Sequence, residues 1–152
     1  MDEALIRYRE ANVDDVPEME GIRLPDSEAG PADPRMARYL RREHHPQKAL
    51  RPRVMYVATD VDAIVGYIGG HLTRRHGCDG ELQYLYVALE HRRSGVASGM
   101  LRSLWGWFQE RDATRICVDV EPDNARARGF YTRHGATDLS SCWLVWTDIR
   151  NV

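Results

Sequence analysis

Apolar residues recur along this chain with two periods, and the changes from one to the other lay out its elements. A helix buries one face about every 3.6 residues and a strand every second residue. Leu5 to Glu10, apolar residues mixed with arginines, reads as a first strand. Asn12 caps the helix that follows through Val13, Val16, Met19 and Ile22. Pro25 to Pro34 is rich in Pro, Gly and acidic residues and reads as a loop. A second helix is predicted from about Pro34 to His44, with Met36, Tyr39 and Leu40 on one face and Arg35, Arg38, Arg41 and Arg42 spread around it. Val54 to Thr59 and Ala63 to Leu72 read as strands joined by the turn Asp60-Val61-Asp62. Gly66, Gly69 and Gly70 mark a bulge or a close approach within the second of them. Thr73 to Gly80 is a loop.

Glu81 to Val87 is the central strand. Strict alternation there sets Glu81, Gln83, Leu85 and Val87 on one face and Tyr84 and Tyr86 on the other. Ser94 to Arg111 is the strongest helix, carrying Val96, Met100, Leu101, Leu104, Trp105 and Phe108 at helical spacing. Trp105 and Trp107 cannot both face the core at that spacing, which leaves one of them for a homodimer surface or a lipophilic patch. Arg115 to Val120 is a strand and Asn124 to His134 a helix, ended by Gly135. Ala136 to Leu139 and Cys142 to Thr147 are the last strands. Strands and helices alternate, with two apparent hairpins. The expected architecture is α/β: a mixed sheet with helices on both faces, in a single domain over residues 1–152.

Composition narrows the functional classes. With 21 basic and 23 acidic residues the net charge is −2, which argues against a broad basic field for nucleic acid. The 3 cysteines are odd in number and widely spaced, so neither a disulfide framework nor a zinc site is indicated. Cys117 and Cys142 lie in apolar runs and read as small core residues. His44-His45 before Pro46 reads as a helix end, and His76-Gly77-Cys78 falls short of a metal ligand set. No apolar run reaches membrane-spanning length and MDEALIRYRE has no signal-type apolar region, so a cytoplasmic protein without membrane or metal is expected.

One stretch carries chemistry of its own. Arg92-Arg93-Ser94-Gly95-Val96-Ala97 follows the central strand and opens the strongest helix. Backbone N–H groups at a helix N-terminus lack intrahelical acceptors, and the dipole puts partial positive charge there. Gly95 and Ala97 let a phosphate approach, and the arginines add charge. The stretch reads as a phosphate or pyrophosphate cradle.

These residues resemble the GNAT (GCN5-related N-acetyltransferase) superfamily over nearly the whole chain. Its pyrophosphate signature is Arg or Gln, two residues, Gly, one residue, then Gly or Ala, and Arg92 to Ala97 fits it. A second family motif, Asn with a small residue and an aromatic–Tyr pair, stands as Asn124-Ala125-Arg126-Ala127-Arg128-Gly129-Phe130-Tyr131, with Gly135-Ala136 after it. Val87 lies eight residues before Gly95, and Ile64-Val65-Gly66-Tyr67 fits a middle strand. The resemblance implies a mostly antiparallel sheet with splayed central strands, acetyl-CoA or a related acyl-CoA as donor, and a primary amine as acceptor.

It also implies roles. Leu85, Tyr86 and Val87 would pair with the pantetheine arm, and Arg92, Arg93, Ser94, Gly95, Val96, Ala97 and Ser98 would hold the pyrophosphate. The Val87 N–H would polarise the thioester carbonyl, and Tyr131 would protonate the leaving thiolate. Asn124 would bond the pantetheine, cap its helix, or both. Glu81, fourteen residues before Gly95, and Asp119, five before Asn124, are alternative general bases, and ordered water is a third. The acceptor side would draw on Ile22 to Arg42, Thr73 to Gly80 and Leu139 to Trp146, with Arg35, Arg38, Arg41, Arg42, Arg74, Arg75, Asp26, Glu28, Asp79 and Trp143. The leading reading is a small-molecule amine N-acetyltransferase. A protein N-terminal or lysine acetyltransferase and a non-catalytic acyl-CoA-binding module are the alternatives.

Overall fold

The longest apolar runs pair first. β2 (Ala49–Asp60) and β3 (Ala63–Thr73) form an antiparallel hairpin in which Asp60 faces Ala63 across the turn. β2 starts earlier than its apolar segment predicts, because Arg53 and Ala49 continue the pairing onto His71 and Thr73 through an irregular register. The computed structural model describes residues 5–23 and 35–152. The loop expected from Pro25 to Pro34 lies outside the described residues, as do Asp26 and Glu28.

β1 (Ile6–Glu10) adds to β2, and β4 (Gly80–Val87) to β3. β5 (Ile116–Asp119), β7 (Trp143–Trp146) and β6 (Thr137–Ser140) complete a seven-stranded sheet of order β1-β2-β3-β4-β5-β7-β6. Every neighbouring pair is antiparallel except β4 with β5. That parallel contact spans only Gly80–Leu82 against Ile116–Val118. Beyond it the two strands splay, and among the described residues no strand pairs with β4 on its β5 side past Leu82.

β4 departs from strict alternation. Gly69 pairs with Tyr84 but Gly70 pairs with Leu82, so Gln83 is a bulged residue without a partner on β3. A bulge adds one residue and shifts the pleat by one. Leu82, Leu85 and Val87 therefore face one layer, while Tyr84 and Tyr86 face the other. Glu81 shares the face of Tyr84, not that of Leu85 and Val87 as the alternation predicted. Its contacts with His71 place it there.

α3 (Val96–Gln109) and α4 (Ala125–Arg133) pack on the first face, with Met100, Leu104, Phe108 and Tyr131 over Val54, Ile68, Leu82 and Val118. α1 (Val16–Arg23) and α2 (Arg35–Leu40) pack on the second, with Met19, Met36 and Tyr39 over Met55, Val57 and Tyr67. α1 is entered through a single turn, Val13–Asp15, whose Asn12 accepts from Asp14 N while Asp15 accepts from Asn12 N. α2 stops at Leu40, short of the predicted His44, in a turn where Arg42 takes a positive φ of 63°.

Both tryptophans of α3 are buried, which corrects the expectation that one faces outward. The twisted sheet wraps the helix widely enough to reach both. Trp105 meets Trp146 edge to face at 4.8 Å, and Trp107 packs on Phe108 under the Arg111 guanidinium at 4.1 Å. The premise for a homodimer surface at that position is thereby removed. Among the cysteines, Cys117 is core as expected, but Cys142 is only half-buried and it is Cys78 that joins Cys117 beneath Trp143. Among the described residues no helix is long and apolar enough to cross a membrane.

Candidate functional site

The splay leaves an opening between the C-terminal halves of β4 and β5. Ala88 N donates to Val65 O at 2.8 Å, and Gly66 lies opposite Val87. In an antiparallel ladder successive residues direct their amides to opposite sides. The N–H and C=O groups of Leu85 and Val87 therefore face away from β3, into the opening. The Val87 carbonyl is taken there by Arg92 Nε at 3.0 Å, which ties the following loop back to the strand. The Arg92 guanidinium also lies 5.3 Å from the Tyr86 ring.

The loop then turns sharply. Arg93 at φ 63° and Gly95 at φ 86° both sit in the left-handed region, and the Ser94 hydroxyl donates to the His91 carbonyl. Gly95 is the N-cap of α3, and no side chain caps the helix. Its first N–H groups thus point into the opening unshielded, as an anion site requires. His91 is itself braced by Asp60 at 3.2 Å, from the far end of the β2–β3 hairpin.

These pieces line one cavity of about 870 Å³. Leu85, Tyr86, Val87, Arg92, Arg93, Gly95, Val96, Ala97, Ser98 and Tyr131 all border it. Two residues expected to hold the donor lie outside this lining: the Ser94 side chain turns onto its own loop, and Asn124 caps α4 by accepting from Ala127 N at 3.1 Å. Phe130, Arg126, Arg133 and His134 join the lining from α4. Sequence reasoning missed His134, which bonds Ser98 at 2.8 Å and so clamps the first turn of α3 to the end of α4. Its position one helical turn after Phe130 was the available signal.

Tyr131 is nearly buried, packed on Phe130 and edge-on to Trp146 at 5.5 Å. Burial pushes its phenol up to about 12, so it keeps its proton throughout the neutral range.

Glu81 lies on the opposite face of β4, buried among polar groups. Its Oε1 is 3.5 Å from His71 Nε2 and 3.4 Å from Arg75 Nε. His71 Nδ1 is 2.8 Å from the Tyr39 hydroxyl, and the Arg53 guanidinium covers the Tyr39 ring at 4.7 Å. His71, Tyr39 and Arg53 were not anticipated as site residues. A histidine near the end of an otherwise apolar strand was a signal for the first, whereas the other two come from elements remote in sequence. Asp119, the alternative base, stands exposed at the end of β5 opposite Trp143. The structure does not bring it to Glu81.

On the expected acceptor side, the turn Arg75–Gly77 reaches across to β7. Arg75 lies 4.9 Å from the Trp143 ring and His76 4.8 Å from it. Asp79 is not available there, because its carboxylate accepts from Thr114 N at 2.9 Å and Arg115 N at 3.0 Å. Among the described residues no group of His, Cys, Asp or Glu is arranged to hold a metal ion.

The chain matches the sequence model of the Acetyltransferase (GNAT) family over residues 17–136. No curated protein matches it in sequence. Solved structures share its fold at low identity. Ard1 from Thermoplasma volcanium is 18% identical, with 95% of this chain and 97% of that one covered at a TM-score of 0.75. The PaiA N-acetyltransferase from Thermoplasma acidophilum, solved in complex with coenzyme A, is 14% identical, with 95% and 99% covered at 0.68. A ribosomal-protein-alanine N-acetyltransferase from Brucella melitensis biovar Abortus is 20% identical, with 89% and 94% covered at 0.64.

Proposed function

Since the chain belongs to the GNAT acetyltransferase family, we propose that it moves an acetyl group from acetyl-CoA to a primary amine of a small molecule. The observation that carries this reading is the β4 edge where Leu85 and Val87 face the cavity, running directly into the uncapped N-terminus of α3 at Gly95. An extended amide-bearing arm pairs with such an edge as an added strand would. A pyrophosphate suits the N–H groups and Arg93 at its end. The whole chain, residues 1–152, would then act as one acyltransferase domain.

In this reading the Val87 N–H, facing the opening, donates to the thioester carbonyl as negative charge builds on its oxygen. The acceptor arrives as an ammonium and loses one proton through water to the Glu81 carboxylate. The N–H bond breaks and a carboxyl O–H forms. The neutral amine adds to the carbonyl carbon, and the C–S bond breaks as the Tyr131 phenol donates to the departing sulfur. The second proton of the amine nitrogen then passes through water to the Tyr131 phenolate, leaving a neutral amide, and Glu81 returns its proton to solvent. Glu81 is favoured over Asp119 because it is buried and held by neighbours, whereas Asp119 stands in solvent. A compact acceptor is favoured because Arg75 and His76 both pack against the Trp143 ring on the expected acceptor side.

The test is thiol release from acetyl-CoA against a panel of small amines, amino acids and peptides. Turnover with a small amine and none with peptides is expected. Peptide turnover alone would move the assignment to a protein acetyltransferase, and tight coenzyme A binding with no turnover on any acceptor would leave only a binding module.

A further inference from the structure

Behind Glu81 stands a directed chain of buried groups that the transfer reaction as described does not use. It begins at Tyr39, whose phenol burial holds well above 10 and therefore protonated. Its hydroxyl is 2.8 Å from His71 Nδ1, in a pair with no exposure to solvent. Among the described residues this buried hydroxyl has His71 Nδ1 as its hydrogen-bond partner, so its proton is placed there and Nδ1 is taken as the acceptor nitrogen. The proton of a neutral imidazole then sits on Nε2. Nε2 points at Glu81 Oε1 at 3.5 Å, and Arg75 Nε approaches the same oxygen at 3.4 Å.

The opposite tautomer would set the Nε2 lone pair against the carboxylate. His71 Nε2, Arg75 Nε and Glu81 Oε1 are buried without a hydrogen-bond partner among the described residues, and they face one another at ion-pair distance. Among the described residues the groups around them include Tyr84 on β4, Arg53 on β2 and Cys117 opposite Glu81 on β5. None of these is a second carboxylate competing for His71.

We propose that Tyr39 and His71 form a positioning pair that fixes the imidazole tautomer and, with Arg75, holds Glu81 by Oε1, leaving Oε2 to receive the acceptor's proton. The arrangement has the logic of an oriented base, in which one hydrogen bond sets the tautomer and the next sets the direction of the reactive group. His71 exchanges no proton and touches no substrate; it acts through Glu81. The inference rests on the reading of Glu81 as the base.

The experiment compares kcat and the KM for acetyl-CoA in Glu81→Gln, His71→Leu, His71→Gln and Tyr39→Phe, and in the double variant Glu81→Gln/His71→Leu. Glu81→Gln is expected to lower kcat by about 10²-fold or more. His71→Leu should lower it about ten- to a hundredfold with the KM for acetyl-CoA unchanged. His71→Gln returns an N–H donor near the Nε2 position and should recover most of the rate. Tyr39→Phe should give a smaller loss and, because it keeps the ring, serves where His71→Leu does not fold. The double variant should be no slower than Glu81→Gln alone, since His71 works only through that carboxylate. If the losses of the two single variants multiply, or if His71→Leu folds and keeps its kcat while Glu81→Gln does not, the positioning pair is refuted and the base stands. If Glu81→Gln keeps full kcat, it is the base assignment that fails.

Discussion

Tyr131 reaches its place because α4 turns its only buried side chain toward Trp146 and the cavity at the splay. A phenol pushed to about 12 by burial stays protonated as pH rises past 10, the ordinary tyrosine value. It can therefore give a proton to a leaving thiolate from a resting form that carries no charge at neutral pH. Tyr131→Phe keeps the ring packing and removes only the hydroxyl. We expect kcat to fall about a hundredfold with the affinity for coenzyme A unchanged, measured by thiol release and by titration of the free enzyme. The sign of the pH effect follows from the same shift. The active form is the protonated one, so loss of the donor begins only as pH climbs towards 12. An alkaline limb in kcat below pH 10 that disappeared in the Phe variant would contradict this placement.

The bulge in β4 decides which residues share a face, and β3 makes room for it. A Cβ on Gly70 would lie 2.8 Å from the Glu81 carbonyl and 3.0 Å from the Phe108 ring, both fixed. Gly70→Ala should destabilise by about 1–3 kcal/mol through overpacking. Gly106→Ala, at an exposed site in α3 where a Cβ meets nothing, should stabilise by roughly 0.5–1 kcal/mol through helix propensity. Opposite shifts of the urea midpoint for one and the same substitution are the check; a neutral Gly70→Ala would mean that β3 and β4 are free to slide at the bulge. This element also marks where the sequence ceases to be legible. The glycines of β3 announced an irregularity, but its effect on β4 depends on which residue across the strand pair goes unpaired, and β4 read alone alternates perfectly. Trp107 failed for a related reason: helical spacing says which residues share a stripe, not how far a twisted sheet wraps around it. The cavity at the splay was readable because a strand, a left-handed glycine and a helix start are contiguous in sequence. The surroundings of Glu81 were not, since Tyr39, Arg53, His71 and Arg75 come from four separate elements.

At the scale of the whole molecule the two layers share a liability at high pH. Tyr39 and Tyr67 are sealed between the sheet and the α1–α2 layer, and Tyr131 between the sheet and the α3–α4 layer. Burial holds Tyr67 and Tyr131 up to about 12 and Tyr39 well above 10, while in the unfolded chain each ionises near 10. The folded state then binds more protons than the unfolded state above pH 10, so stability falls as pH rises there. Their contribution is fully present below pH 10 and is lost as pH climbs through about 12. Each tyrosine contributes up to about 1.4 kcal/mol per pH unit to the slope in that window, and each layer carries at least one such residue. Urea midpoints measured from neutral pH upward, with tyrosinate absorbance followed in parallel, should stay level as far as these groups are concerned until about pH 10. Above it the midpoint should fall steeply, and none of the three buried phenols should ionise near pH 10 while the protein stays folded. Ionisation of any of them near pH 10 in a protein still folded would show that its layer opens on its own.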